Sequence, residues 1–279
     1  MALKTPVVDR VPTYPGRVTL TPVSGAENTY DMVRADQPIT EGTPINKALF
    51  DQKAYTLTKD VTVYVSTSGS DTGGDGTSAA PFATIQKALD TLPKWLDGHT
   101  ATIDIAAGTY PGGVVIEGFR GGLIVLGIAG RSVTVNGIQI NGSDTVRINI
   151  SNIVQSNSVA GTLLILRNNS KAVIGGRFSV DAQNAQVSGI TAEAGSHLSV
   201  LNAEVMTIVH NAGFNAVYAT GGSTIALAGI AGSGSVNGLR ADTGSVISYS
   251  TRSLNATTMN VTTNGGRIYT GAQTSVPNY

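Results

Sequence analysis

Ser188-Gly189-Ile190-Thr191-Ala192-Glu193-Ala194-Gly195-Ser196 returns as Asn215-Ala216-Val217-Tyr218-Ala219-Thr220-Gly221-Gly222-Ser223, and again as Asn237-Gly238-Leu239-Arg240-Ala241-Asp242-Thr243-Gly244-Ser245. Each copy opens on a small or polar residue, runs through a short alternating strand and closes in a tight turn. Self-similarity at a step of roughly 20 to 50 residues marks a stacked architecture, because one repeat cannot bury its own apolar face without neighbours.

Working outward with the turn residue as anchor, equivalent points fall at Gly122, Asp144, Ser170, Ser196, Ser223, Ser245 and Gly266, in steps of 22, 26, 26, 27, 22 and 21 residues. Two and four residues past each anchor stand Ile124 and Leu126, Val146 and Ile148, Ala172 and Ile174, Leu198 and Val200, Ile225 and Leu227, Ile247 and Tyr249, then Ile268 and Thr270. Side chains alternate across a strand, so a fixed offset with period two stacks these residues into inward columns. Glycine and asparagine at the corners let the chain turn sharply. The reading is an all-β protein, a right-handed parallel β-helix (solenoid) of about seven coils over residues 101–279, roughly 35 Å long at about 4.8 Å per rung.

Upstream, Val61 to Val65 alternates as a strand and Ser66 to Ala80 reads as a loop. Thr84 to Leu92 places Ile85, Ala88, Leu89 and Leu92 on one helical stripe that ends before Pro93. Such a helix covers the open N-terminal rung of a solenoid. Residues 61–100 therefore form a first strand, loop and short capping helix. Residues 1–60 hold six of the ten prolines within their first 44 positions and read as an extended N-terminal arm or small separate module, with a short helix from Thr43 to Phe50. After the last coil no polar cap is evident over Gly266 to Tyr279, so a second chain or another protein is expected to cover that end, oligomerisation being the economical answer.

Composition agrees. The chain has 34 glycines, 13% charged and 41% apolar residues, a profile for tightly turned strands rather than disorder or helix bundles. Eighteen basic residues balance eighteen acidic ones, which argues against nucleic acid and anionic lipid as partners. Cysteine is absent, no apolar run has the length of a membrane span, and the first ten residues carry no signal-peptide pattern. No membrane insertion and no export signal are expected.

Tyr64-Val65-Ser66-Thr67-Ser68-Gly69-Ser70-Asp71, continued by Gly76-Thr77-Ser78-Ala79-Ala80-Pro81-Phe82-Ala83-Thr84-Ile85-Gln86-Lys87-Ala88-Leu89, resembles the start of pectate-lyase-like β-helices in phage tail fibres and tailspikes. Pro15-Gly16-Arg17-Val18-Thr19-Leu20 and Gly42-Thr43-Pro44-Ile45-Asn46-Lys47-Ala48-Leu49-Phe50 are similar to N-terminal attachment segments of phage structural proteins. The resemblance implies a homotrimer made in the host cytoplasm and residing in the virion, with Arg17, Ile45, Leu49 and Phe50 as attachment contacts. Partners would be tail, baseplate or capsid proteins and a host cell-surface glycan. The larger spikes carry a long C-terminal trimerisation segment that this sequence lacks, which leaves room for a capsid fibre or decoration protein.

Candidate chemistry is sparse, and the expectation is a non-enzyme without cofactor or metal. A polysaccharide lyase or glycoside hydrolase on this fold needs a carboxylate pair or a metal-binding acidic cluster. Glu193 reads as one position beyond the coil-equivalent of Thr220, with Asp242 nearer to it, so no pair stacks. Asp71 and Asp75, on a glycine-rich turn, resemble half of a calcium loop; the competing reading has them accept from turn amides. His99, His197 and His210 show no metal or carboxylate-paired spacing, and His197 is expected to point outward. Among the aromatics, Tyr218 is the candidate outward-facing glycan contact and Tyr249 an inward core residue.

Overall fold

The computed structural model describes residues 11–12, 18–24, 30–34, 38–40, 56–150, 152–154, 163–175, 178–182, 188–201 and 206–271. The chain divides into two compact units, Met1–Ala54 and Tyr55–Tyr279. In the first, Val18–Pro22 pairs antiparallel with Tyr30–Arg34, and Val11–Pro12 with Pro38–Thr40. The strand-like piece after Pro15 is thus one half of a hairpin rather than bare extended chain. Arg17, Ile45, Leu49, Phe50 and the expected helix at 43–50 lie outside the described residues.

The second unit is a parallel β-solenoid whose chain passes repeatedly over three faces. Face A stacks Val61–Val65, Thr100–Ile105, Leu123–Leu126, Val146–Ile148, Lys171–Gly175 and His197–Leu201, then the openings of Thr224–Ala241 and Val246–Thr262, and last Arg267–Thr270. Face B begins with Gly108–Tyr110, Val133–Val135, Asn152–Val154 and Ser179–Ala182. Face C begins with Val114–Glu117, Ile138–Asn141, Leu164–Arg167 and Ile190–Ala192. In the last three coils faces B and C belong to one strand of 14, 18 or 17 residues, kinked by register shifts between Val209 and Gly213 and between Ser233 and Ser235.

Every inward pair expected on face A is in register: Ile124 on Val146, Val146 on Ala172, Ala172 on Leu198, Leu198 on Ile225, Ile225 on Ile247, Ile247 on Ile268. The second column, from Leu126 to Thr270, is equally aligned, and Tyr249 is core at 6% exposure. Val114, Ile138, Leu164, Ile190, Val217 and Leu239 form the matching column of face C, all buried.

The corner from face C to face A repeats one device. Ala194 and Gly195, Gly221 and Gly222, Thr243 and Gly244 all have φ between 49° and 76°, and a serine follows each pair. Two left-handed residues in succession reverse the chain within one step, a conformation glycine adopts freely and Thr243 only at a cost. The reversal leaves the serine N–H aimed along the solenoid axis, where no strand can meet it, and the next coil's hydroxyl takes it. Ser143 donates to Ser170 Oγ at 3.3 Å, Ser170 to Ser196 Oγ at 3.2 Å, Ser196 to Ser223 Oγ at 3.1 Å and Ser223 to Ser245 Oγ at 3.0 Å. All five serines are fully buried. The buried residue in the first of these turns is therefore Ser143, not the expected anchor Asp144. That turn spans as many residues as the next, Asn141 to Val146 against Arg167 to Ala172, but a single left-handed residue, Gly142, precedes its serine instead of two, so Ser143 comes one position early and Asp144 is set outside, accepting from Arg120 Nη1 at 3.0 Å and from Gly121 N–H at 2.8 Å.

The N-terminal rung is closed by α1, Ile85–Asp90, which buries Ile85, Ala88 and Leu89. Thr84 caps it, its hydroxyl accepting from Lys87 N–H, and Asp71 holds the cap in turn by accepting from the N–H groups of Ala83 and Thr84 at 2.8 and 3.0 Å and from the Thr84 hydroxyl at 2.6 Å. The Gln86 side chain takes the place of a missing strand: its Oε1 accepts from Val115 N–H at 2.8 Å and its Nε2 donates to Val115 O at 3.3 Å.

The opposite end is built differently. On faces B and C of the last coil, inward columns turn polar within the solenoid itself: Arg252 lies on Ile230, Asn260 on Leu239 and Thr262 on Ala241. The Arg252 guanidinium stands 4.9 Å from the centre of the Tyr249 ring and donates to Asn260 Oδ1, laying charge across the end of the core.

Two consequences can be measured. Ser196→Ala leaves the buried N–H of Ser170 without its acceptor and should cost about 1–3 kcal/mol in urea unfolding, whereas Ser78→Ala, at an exposed loop position, should stay within about 0.5 kcal/mol. Burial alone would raise the Asp71 carboxyl, but the Thr84 hydroxyl, the Thr84 and Ala83 amides and the Lys87 charge outweigh it and hold it below its ordinary value of 3.8. A depressed folded-state pKa gives stability that is present above the unfolded value and lost as pH falls through the folded one. Asp71→Asn should therefore cost about 1 kcal/mol at pH 7, and its deficit against the natural chain should close as pH drops below the ordinary carboxylate range.

Candidate functional site

Three places on the solenoid carry groups that could do chemistry. The first is a cleft of about 400 Å³ beside the capping loop, lined by Tyr64, Ser66, Ser78, Pro81, Asp104 and Arg131 among others. Strand pairing sets Tyr64 level with Asp104 on the outer side of face A. Arg131 then reaches back from the turn after Leu123–Leu126, donating to Asp104 Oδ1 and, at 3.0 Å, to the carbonyl of Ile105. One carboxylate neutralised by one guanidinium, with hydroxyls and a phenol nearby, can bind a polar molecule. It offers no second carboxylate for acid–base work.

The second is a row at the end of face C. Ala192 pairs with Ala219 and Ala219 with Ala241, so Glu193, Thr220 and Asp242 share one column, a correction to the reading that set Glu193 one position out of line. Its two carboxylates are two rungs apart, roughly 10 Å at the strand spacing, near the span an inverting glycosidase uses. Their surroundings oppose that chemistry. Glu193 accepts from Arg167 Nε, and a hydrogen bond from Asn264, with lesser ones from Thr263 and Thr243, holds Asp242 below the ordinary carboxylate range against a smaller opposing effect of burial. A general acid needs its pKa raised, not lowered. Tyr218 belongs to the neighbouring column, half-buried between Thr191 and Arg240, and one side of its ring faces the Arg240 guanidinium at 5.2 Å. Arg240 reaches on toward Asp242 at 3.5 Å.

The third is the glycine-rich loop. Asp71 spends both oxygens on the helix cap, and Asp75 Oδ1 accepts from Thr77 N–H at 2.9 Å, so both act as acceptors for turn amides. Among the described residues no cluster of three or more His, Asp or Glu side chains could hold a metal ion.

The histidines separate. His197 is half-buried on face A between Lys171 and Thr224; burial and then the Lys171 charge lower its pKa. His99 Nδ1 lies 3.5 Å from Asp60 Oδ1, a carboxylate contact that a separation of 39 residues hid in the sequence; the His210 side chain is outside the described residues. Sequence reasoning also missed Arg131 with Asp104 and Arg120 with Asp144, both formed between successive coils.

Among the described residues no helix is long and apolar enough to cross a membrane. Comparison with protein families, with curated proteins and with solved structures finds nothing that matches this chain.

Proposed function

We propose that this chain is a structural protein of a phage particle, tail fibre- or tailspike-like, joined to the tail or baseplate through its first 60 residues and directing its solenoid toward the host surface. The observation that carries the reading is the use made of the motif that resembles the start of pectate-lyase-like phage proteins. Asp71, Thr84 and Gln86, scattered along that motif, are the residues that pin α1 and pair its side with the first rung of face C. The motif is therefore a working cap, and its length and order follow from the cap's geometry.

Supporting it, three outward acids of the coils, Asp144, Asp104 and Glu193, are spent on Arg120, Arg131 and Arg167. On this reading the chain is no enzyme, needs no cofactor, assembles as a homotrimer and works in the virion. A capsid fibre or decoration protein would use the same arm, and the particle substructure with which the chain co-purifies separates the two. The spacing of Glu193 and Asp242, though not their surroundings, is the observation a polysaccharide lyase or glycoside hydrolase would rest on as a second reading; release of reducing ends from host-wall glycans by the natural chain, lost in Glu193→Gln, would establish it.

Replacing Ile45, Leu49 and Phe50 together by serine should leave the melting transition of the solenoid unchanged and abolish incorporation into particles. Normal incorporation by the folded triple variant overturns attachment through this segment. Light scattering should give three times the chain mass for the natural protein, and a monomer at all concentrations counts against the fibre.

A further inference from the structure

The one tryptophan of the chain, Trp95, is half out of water, at 52% exposure, although its backbone is fixed on both sides by bridges to Thr56 and Arg120. An indole held this firmly could have been turned inward; neighbouring Phe119 and Leu96 are buried. Its ring is laid instead against Gly121, where a side chain would meet the indole at 3.4 Å and where φ of +70° favours glycine. One indole face is thus backed by bare backbone, and much of the ring is left to solvent.

Beside it lies the turn that sets Asp144 outward. Arg120 and Asp144 are 3.0 Å apart with side-chain exposures of 49% and 43%, so the guanidinium keeps free N–H groups and the carboxylate free lone pairs toward solvent. Gly142 comes next, 3.6 Å from Arg120 Nη2 when a Cβ is placed on it, and then the amides of Asn141 and Asn168, joined at 2.7 Å. A flat aromatic surface therefore begins a row of paired donors and acceptors that continues down the corner at the spacing of the coils.

We propose that this corner is a binding site for a neutral saccharide chain, one pyranose stacked on Trp95 and its hydroxyls bonded to Arg120 and Asp144, with the next ring over Asn141 and Asn168. Three features select that class. A sugar ring presents a flat face of C–H groups that suits an indole, and each hydroxyl both donates and accepts, as the corner does. Arg120 is balanced by Asp144, which removes the net positive charge that a nucleic acid, a phosphate or a uronate would require. Gly121, which backs the indole, donates to Asp144 at 2.8 Å, so the ring adjoins a charged pair, a polar setting that suits a saccharide better than a buried protein contact. The site deepens the host-contact role proposed above, and it moves the glycan contact from Tyr218, whose ring is shared with Arg240, to the opposite end of the solenoid.

Because the chain has a single tryptophan, its emission reports this site alone. Purified full-length protein is titrated with tetrasaccharides of β-linked N-acetylglucosamine, β-linked glucose and α-linked mannose, and with tetragalacturonate, to about 10 mM, where a site of about 1 mM affinity is nine-tenths filled. At least one neutral tetrasaccharide should shift the emission saturably. Arg120→Ala, with an unchanged melting transition, should weaken that binding about tenfold, and Trp95→Ala should abolish its heat in calorimetry. Flat titrations with all three neutral chains, binding of tetragalacturonate alone, or neutral binding indifferent to both substitutions each overturn the proposal. Emission that shifts only when the chain enters particles assigns Trp95 to a protein contact and overturns it as well. None of these results bears on particle incorporation, which tests the wider reading separately.

Discussion

Every coil of the solenoid must bring its chain back directly above the coil before it, because its strands have no hydrogen-bond partners except those neighbours. A slip of one residue would turn a whole strand's apolar residues to water and bring its polar ones into the core. Coil lengths nevertheless vary between 21 and 27 residues in the repeat. The variation is absorbed at the corners and in the connections between faces, never within the inward pairs of face A. The serine column is the other half of the same constraint: a chain that reverses through left-handed residues points one N–H along the axis at each of these turns, and the stacked hydroxyls accept them one after another.

A stack of identical rungs has two open ends, each with unpaired backbone and exposed core, and this chain treats them differently. At the N-terminal side α1 supplies apolar cover while the Gln86 amide mimics a rung against Val115. At the other side the columns themselves change character. Ile230, Leu239 and Ala241 are followed in register by Arg252, Asn260 and Thr262, and the guanidinium crosses above Tyr249. Covering an end with a helix takes a separate segment, whereas ending the apolar columns takes only a few substitutions.

The same stacking governs the surface. Residues far apart in sequence become neighbours one rung away, so a charge on one coil is balanced by the next: Arg120 by Asp144, Arg131 by Asp104, Arg167 by Glu193. Exposed pairs of this kind contribute little to stability. They flatten the electrostatic surface, consistent with a chain of balanced charge, and leave recognition to shape and to hydroxyl, amide and aromatic groups at the corners.

The sequence by itself determined the rung. Inward columns, turn positions and the capping helix repeat local signals, alternation with period two, small residues at reversals and an i, i+3, i+4 stripe, and such signals survive in one dimension. It reached the register of face A residue by residue, because a strand's alternation and its distance from a turn are enough to fix which neighbour it meets. Only the tertiary structure decided what stands beside what across coils. That Ser143 and not Asp144 is buried depends on one left-handed residue instead of two before the serine; that Glu193, Thr220 and Asp242 align depends on where the turn after each begins. The contact of His99 with Asp60, the crossing of Arg252 and the open ring of Trp95 depend on long side chains spanning the gap between rungs or segments, and no periodicity encodes the direction in which a flexible side chain on the surface reaches.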